Sequence, residues 1–226
     1  MLGSSHSCVA TDGAPWYDGS MATVPRISLP PVPSDAIPDE PIYRLSVEQY
    51  HAMARAGILE EDAPVELLEG WLVQKMTKYP PHRAVARRAR RALERLVPEE
   101  WSIETQDPIT TGDSEPEPDI MLVRAEAADS QARHPDPAEI ALVVEVADTS
   151  LRRDRGTKKR LYARARISVY WIINLVERQI EVYTDPTGPA KKPDYREQRI
   201  YGLSDEIPVL LDGLEIGRIL VREVLL

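Results

Sequence analysis

Apolar residues recur at a helical spacing in several parts of the chain. From His82 to Val97 they form one stripe, with arginines on the opposite side, which predicts an amphipathic helix. Ser46 and Gln49 form a capping-box pattern that predicts an earlier helix ending at Ala56, before Gly57. Two further helices are predicted, over residues 154–166 and, more briefly, 216–224.

Other apolar runs predict strands. Ile140 to Ala147 is apolar except for Glu145, and Ser168 to Leu175 is a similar run; both are typical of strands buried on both faces. The remaining extended segments are 65–76 with a turn near Glu69-Gly70, 101–106, 119–123, 179–184 and 196–201. This order of elements predicts an α/β fold with a mixed β-sheet flanked by helices.

Composition separates a tail from a folded region. Residues 1–41 are rich in Gly, Ser, Asp and Pro and predict a disordered tail, with Met21 as an alternative start, whereas 42–226 predict one domain. The single cysteine, Cys8, excludes a disulfide framework within the chain and favours a reducing cytoplasm. No apolar run is long enough to predict a membrane span.

The formal net charge of −9 argues against a simple nucleic-acid-binding protein, which is usually basic. The charges are unevenly distributed, however, with basic blocks at Arg83–Arg95 and Arg152–Arg166. A site that gathers carboxylates around a metal is locally acidic and needs only a basic rim for phosphate contacts. The Arg83–Arg95 block is therefore either a track for phosphates or a solvated helix face.

Two acidic residues in apolar surroundings are candidate metal ligands. Glu145 interrupts a buried strand, where an ionised carboxylate needs compensation from a metal or a salt bridge, unless it reaches water. Asp119 begins a second apolar strand after Pro118 and could equally be a turn residue. Neighbouring strands that each supply one carboxylate would form the hard-oxygen site that Mg²⁺ prefers.

Lys158 is a candidate partner for these acids. On a helical wheel it shares a face with Leu161, Tyr162 and Ala165 and so points towards the sheet, whereas the neighbouring basic residues face water. It either snorkels past the apolar edge or orients an attacking water and offsets charge on a phosphate.

Taken together, these motifs resemble the Uma-type restriction endonuclease family, formerly a domain of unknown function, in the PD-(D/E)XK nuclease superfamily. The resemblance covers about Tyr43 to Tyr183. Its strongest segments are Glu117-Pro118-Asp119-Ile120, Val143-Val144-Glu145-Val146, Asp154-Arg155 with Lys158, 161–165 and 169–173; 66–70, Pro81-His82 and Gln106-Asp107-Pro108 also match.

The resemblance implies roles for individual residues. Asp119 and Glu145 would bind Mg²⁺, or Mn²⁺ as an alternative, together with the carbonyl of Val146, and Glu66 would be a further acid of the site. Ala147 occupies the position of the superfamily's motif lysine, so Lys158 from the following helix would replace it; Glu69 and Trp71 also depart from the commonest family residues. Gln106 is a candidate for orienting a water molecule or a metal ligand, and the alternative is an ordinary amide at the end of a strand. His82 is a candidate for contacting a phosphate, and the alternative is a helix cap.

The resemblance also implies a restriction-endonuclease-like fold and a Mg²⁺-dependent endonuclease acting on nucleic acid, with DNA as the expected substrate, and a homodimer. Two alternatives stay open at the level of sequence. One is a catalytically inactive module that keeps the nuclease fold for binding. The other is a metal-dependent phosphoesterase acting on small nucleotides.

Overall fold

A six-stranded mixed sheet, in the order β3-β4-β5-β6-β7-β8, forms the centre of the fold. In this computed structural model, residues 41–60, 62–130 and 133–226 are described, and they include one compact unit spanning Tyr43–Leu226. The predicted tail and Met21 lie outside the described residues, except for Pro41. The strands are β1 (Val65–Leu68), β2 (Trp71–Gln74), β3 (Trp101–Glu104), β4 (Ile120–Arg124), β5 (Ile140–Ala147), β6 (Val169–Asn174), β7 (Gln179–Pro186), β8 (Tyr195–Tyr201), β9 (Glu206–Leu211) and β10 (Leu214–Leu220).

Helices flank this sheet, which confirms the predicted α/β class. The capping box is present, because the Ser46 hydroxyl accepts from the Gln49 N–H while the Gln49 side chain accepts from the Ser46 N–H. The helices are α1 (Val47–Arg55), α2 (Pro80–Glu94), α3 (Ala125–Ala128), a 3-10 turn (Pro137–Glu139), α4 (Leu151–Arg153), a π-helical turn (Asp154–Lys158), α5 (Lys159–Arg164) and α6 (Val221–Leu225).

The predicted helix over 216–224 is wrong for most of its length. Residues Leu214–Leu220 form β10, which pairs antiparallel with β9, and helix α6 begins only at Val221. The turn between these strands is Asp212-Gly213, and both residues have positive φ angles of 50° and 78°. An Asp-Gly pair between apolar runs favours this type of hairpin turn, and that signal outweighs the apolar spacing.

Two apolar layers cover the faces of the sheet. Strand alternation sends Val144 and Val146 towards the layer that contains α2 and the β9-β10 hairpin. The intervening Val143 and Ala147 point towards the layer that contains α5. Glu145 alternates with this second set, so the sequence itself directs its carboxylate to the α5 side.

The β5–β6 pair is parallel, and the other neighbouring pairs of the sheet are antiparallel. A parallel pair needs a crossover connection, and here α4, the π-helical turn and α5 provide it. The crossover therefore brings Lys158 over the strand that carries Glu145. Within the described residues, no helix has both the length and the apolar character needed to span a membrane.

Candidate metal-binding active site

The register of β4 and β5 brings two acids together. Ile120 pairs with Val144 and Met121 with Val143, so the same antiparallel register, continued by one residue, sets Asp119 opposite Glu145. Directly opposed residues on one face of an antiparallel pair have Cβ atoms about 5 Å apart. Both side chains are nearly inaccessible to solvent, with 5% and 4% of their residue surfaces exposed.

Asp119 is surrounded by donors. Its Oδ2 accepts from the Val146 N–H at 2.9 Å and lies 3.1 Å from His82 Nε2, while its Oδ1 lies 3.0 Å from Lys78 Nζ. Burial alone would raise the pKa of Asp119, but the hydrogen bond from His82 and the charge of Lys78 outweigh it and lower the pKa to about 2. Asp119 therefore stays an anion across the physiological range.

Glu145 is held by two donors from the crossover. Lys158 Nζ lies 2.7 Å and the Tyr162 hydroxyl 2.8 Å from the same oxygen, Oε1. Burial raises the pKa of Glu145 to about 8, against the opposing effect of Lys158, and the charges of Asp154 and Asp119 raise it further. Near neutral pH the Glu145 carboxyl therefore favours its protonated form until a further cation joins Lys158 beside it.

Lys158 joins a second acid to this pair. Its Nζ lies 3.3 Å from Oε2 of Glu66, whose Oε1 lies 3.5 Å from Arg153 Nη1. Burial would lower the pKa of Lys158, but the charges of Glu145, Glu66 and Asp154 reverse that effect and raise it. The side chain is therefore a permanent cation, which can stabilise negative charge but cannot accept a proton as a base.

The π-helical turn adds another buried acid. The Ser150 hydroxyl donates to Asp154 Oδ2, while Oδ1 has no partner among the described residues. Burial raises the pKa of Asp154, opposed by Lys158 and Ser150. Single π turns inside helices are frequent at functional sites.

These side chains surround one cavity of about 50 Å³, which is large enough for an ion and a few water molecules. Among the described residues, four buried side-chain nitrogen or oxygen atoms lack a hydrogen-bond partner, and three of them belong to residues that line this cavity. Those three residues are His82, Arg153 and Asp154. Unsatisfied buried atoms gathered at one place indicate a ligand, an ion or water.

The charges of the cavity fit a divalent cation. Six acidic side chains line it against four lysines and arginines, so full ionisation of the acids, which a bound cation favours, leaves an excess of two negative charges. In the described part of the chain, no three acids of this cavity bring their oxygens all within 4.8 Å of one another. An ion here would therefore keep several water or substrate ligands, as Mg²⁺ does. The residues are Glu66, Glu117, Asp119, Glu145, Asp148 and Asp154 against Lys75, Lys78, Arg153 and Lys158.

A basic groove lies beside the cavity and shares Lys78, His82 and Asp119 with it. Arg83, Arg87 and Arg90 of α2 line this groove. Arg83 and Arg87 are exposed and form no ion pair with any described residue, whereas Arg90 pairs with Glu94 at 2.9 Å. The arginine block is thus in part a cationic groove wall and in part a solvated face.

The structure brings most of the predicted site residues together. Glu66, Asp119, Glu145, Val146, Lys158 and His82 all line the cavity. Gln106 does not: it is exposed, has a φ of 63° and lines the basic groove instead. Val146 contributes its N–H to Asp119. His82 lies in the first turn of α2 but contacts Asp119 instead of capping the helix.

Sequence reasoning missed Lys78, Tyr162 as a donor, and Asp154 as a buried acid. Asp154 and Tyr162 each lie four residues from Lys158, so the inward-facing stripe that contains Lys158 could have identified both. Lys78 lies in the segment between β2 and α2, where no periodicity indicates the direction of a side chain.

Comparison with known proteins places this geometry in a family. The sequence profile described as "Uma2: Putative restriction endonuclease" matches residues 47–220. The chain is similar in fold to a solved "putative nuclease belonging to DUF820" from Anabaena variabilis ATCC 29413, with a TM-score of 0.59, 18% identity, and coverage of 82% of this chain and 98% of that chain. No curated protein matches the sequence. Because the profile spans most of the folded region, the protein belongs to the Uma2 family.

Proposed function

We propose that the protein is a divalent-metal-dependent endonuclease with Mg²⁺ as its ion, Mn²⁺ as an alternative, and DNA as its substrate. One observation carries the proposal: Asp119, Glu145 and the buried Lys158 all line the same small acidic cavity, and Lys158 pairs with Glu145 there. The family relationship supports a nuclease, and the carboxylate chemistry of the cavity supports a hard cation.

Each residue has a distinct part in the proposed reaction. Asp119 and Glu145 would hold the ion, with the Val146 carbonyl as a further candidate, and bound Mg²⁺ would acidify water and polarise a phosphate. Lys158 would orient the attacking water and stabilise the charge that develops on the phosphate. Attack at phosphorus would break the bond to the 3′ oxygen and leave a 5′-phosphate.

The neighbouring donors would keep Asp119 in place. Lys78 and His82 both contact its carboxylate, at 3.0 and 3.1 Å, and they also lie where the cavity meets the basic groove. Either side chain could donate to a substrate phosphate once an ion holds Asp119. Glu66, which contacts Lys158 and Arg153, would position the lysine instead of binding substrate.

The basic groove supports a polymeric substrate over a small nucleotide. A groove wall with the unpaired cations Arg83 and Arg87 next to the cavity can contact phosphates that flank the one being cut. A mononucleotide would have no use for these contacts. Homodimerisation and a cytoplasmic location stay predictions from the sequence, and light scattering tests the first.

The test compares cleavage of plasmid DNA and of a labelled duplex, with Mg²⁺ or with EDTA. Wild-type protein should cut only with the metal, and Asp119→Asn and Glu145→Gln should lose the activity. Glu126→Gln, in the exposed first turn of α3, is the matched control and should cut like the wild type. Circular dichroism of every variant separates loss of folding from loss of chemistry.

Two results would overturn the proposal. Equal cleavage by wild type and both site variants would point to a contaminating nuclease. Failure to bind Mg²⁺ by calorimetry, with DNA binding retained, would instead identify an inactive module that keeps the fold for binding.

A further inference from the structure

A second group of metal-ligand side chains lies outside the acidic cavity. His51 of α1, Glu115 of the segment before β4, and His134 of the segment before β5 bring one ligand atom each within 4.8 Å of the others. In the described ranges of the chain, this is the one such group of three or more His, Cys, Asp or Glu side chains. The three residues come from separate parts of the sequence and meet only in the folded protein.

The carboxylate of this group is fixed in place. Glu115 has only 5% of its surface exposed, and its Oε2 lies 2.7 Å from His51 Nε2. The Thr110 hydroxyl donates to the same oxygen at 2.9 Å. In protein metal sites, a hydrogen bond from a neighbouring group commonly orients the side chain that binds the metal.

The two imidazoles of this group also lie close to one another. The ring centroids of His51 and His134 are 6.3 Å apart, and the ring planes are inclined to one another by 60°. Two ligand atoms at about 2.1 Å from one zinc ion are at most about 4.2 Å apart, so a small rotation of the exposed His134 would close the group around an ion. The exposed side of His134 leaves room for water as a fourth ligand.

We propose that His51, Glu115 and His134 form a binding site for a transition-metal ion of the zinc class, separate from the Mg²⁺ site. Imidazole nitrogen suits Zn²⁺, Co²⁺ and Ni²⁺, whereas Mg²⁺ selects oxygen ligands. The ligand types therefore assign different ions to the two sites. With two histidines and one glutamate, the site leaves at least one coordination position for water.

The site would stabilise the segment that leads to Asp119. The Glu115 N–H donates to the Leu67 carbonyl of β1, and two residues later the Glu117 N–H donates to Glu66. A metal at Glu115 would link this segment to α1 and to the segment that carries His134. Because such an ion would bind the folded chain and not the unfolded chain, it would raise the melting temperature.

The test titrates ZnCl₂ into the full chain, without a polyhistidine tag and in millimolar Mg²⁺ to occupy the acidic cavity. We expect one zinc ion per chain, and a raised melting temperature. Removal of a direct ligand in His134→Ala should weaken zinc binding by at least the roughly 10- to 100-fold seen when outer-shell partners of a metal site are lost. His134 is exposed, so this variant should fold.

His6→Ala is the matched control for adventitious zinc binding by histidine and should bind like the wild type. Cobalt absorption gives a second readout, because imidazole ligation of Co²⁺ should produce visible bands that His134→Ala loses. If the double variant His51→Ala, His134→Ala binds one zinc ion as tightly as the wild type, the site is overturned. None of these outcomes depends on nuclease activity, so the test is independent of the proposed reaction.

Discussion

The ammonium of Lys158 lies 2.7 Å from Oε1 of Glu145, and each residue has less than 5% of its surface exposed. The lysine comes from the crossover after β5, and the glutamate from β5 itself. A buried charge without a partner is strongly destabilising, so these two groups depend on one another. Their placement gives the first prediction.

Lys158→Met should abolish cleavage and reduce the free energy of unfolding by about 3 kcal/mol, because Glu145 and Glu66 lose their shared buried cation. Mg²⁺ should restore more stability to this variant than to wild type, since the ion replaces the missing charge. Urea unfolding with and without Mg²⁺ measures both effects. Lys159→Met is the matched control: Lys159 pairs with the exposed Asp194, so the loss should stay below about 1 kcal/mol.

Tyr162→Phe should lower Mg²⁺ affinity about tenfold or more, because its hydroxyl fixes the oxygen Oε1 of a proposed metal ligand. The matched control is Tyr195→Phe, whose buried hydroxyl donates to the Ile167 carbonyl and not to a proposed metal ligand. Both variants should lose about 1–2 kcal/mol of stability, but only the first should change the metal titration. Equal metal affinities in the two variants would contradict the prediction.

Arg83→Ala with Arg87→Ala should weaken duplex binding and reduce its dependence on salt. Each lost phosphate contact removes about 0.9 from the slope of log affinity against log salt concentration, so the pair should remove about 2. Fluorescence anisotropy with a cleavage-deficient Asp119→Asn background measures the slope. Arg196→Ala with Arg199→Ala on β8, three strands away from β5, is the matched control and should leave the slope unchanged.

Glu181 should make stability depend on pH. Burial would raise the pKa of Glu181, but hydrogen bonds from Arg155, Tyr183 and Asn174 outweigh it and lower the pKa. A carboxylate with a lowered pKa contributes stability above its unfolded pKa of about 4.3, and that contribution is lost as the pH falls through the folded value. The stability difference between wild type and Glu181→Gln should therefore be largest near neutral pH and shrink below about pH 4. A difference that grows on acidification would contradict the assigned sign.

Much of the fold could be predicted from apolar spacing. The continuous run around Glu145 identified β5 as a buried strand, and the helical wheel placed Lys158 on the inward face, where it has 3% of its surface exposed. These predictions succeed because burial on a strand or helix imposes a regular period on the sequence.

The errors have equally physical causes. The apolar residues of segment 216–224 fit a helical period and a strand period alike, so their spacing alone leads to the wrong prediction of a helix. The Asp212-Gly213 turn favours a hairpin, and the first part of the segment pairs as a strand. Lys78 and the group of His51, Glu115 and His134 depend on segments whose approach is fixed only by tertiary packing. No local period in the sequence encodes those distances.

The β9-β10 hairpin and α6 have a consequence for the order of assembly. Ile207, Val209, Val221 and Val224 share an apolar layer with α2, and the Arg88 side chain donates to the Val224 carbonyl. The helix that supplies His82 thus acquires its final support from residues more than a hundred positions further along the chain. Contacts of such long sequence separation form late and slowly, so a nascent polypeptide should gain a functional centre only after the hairpin has emerged from the ribosome.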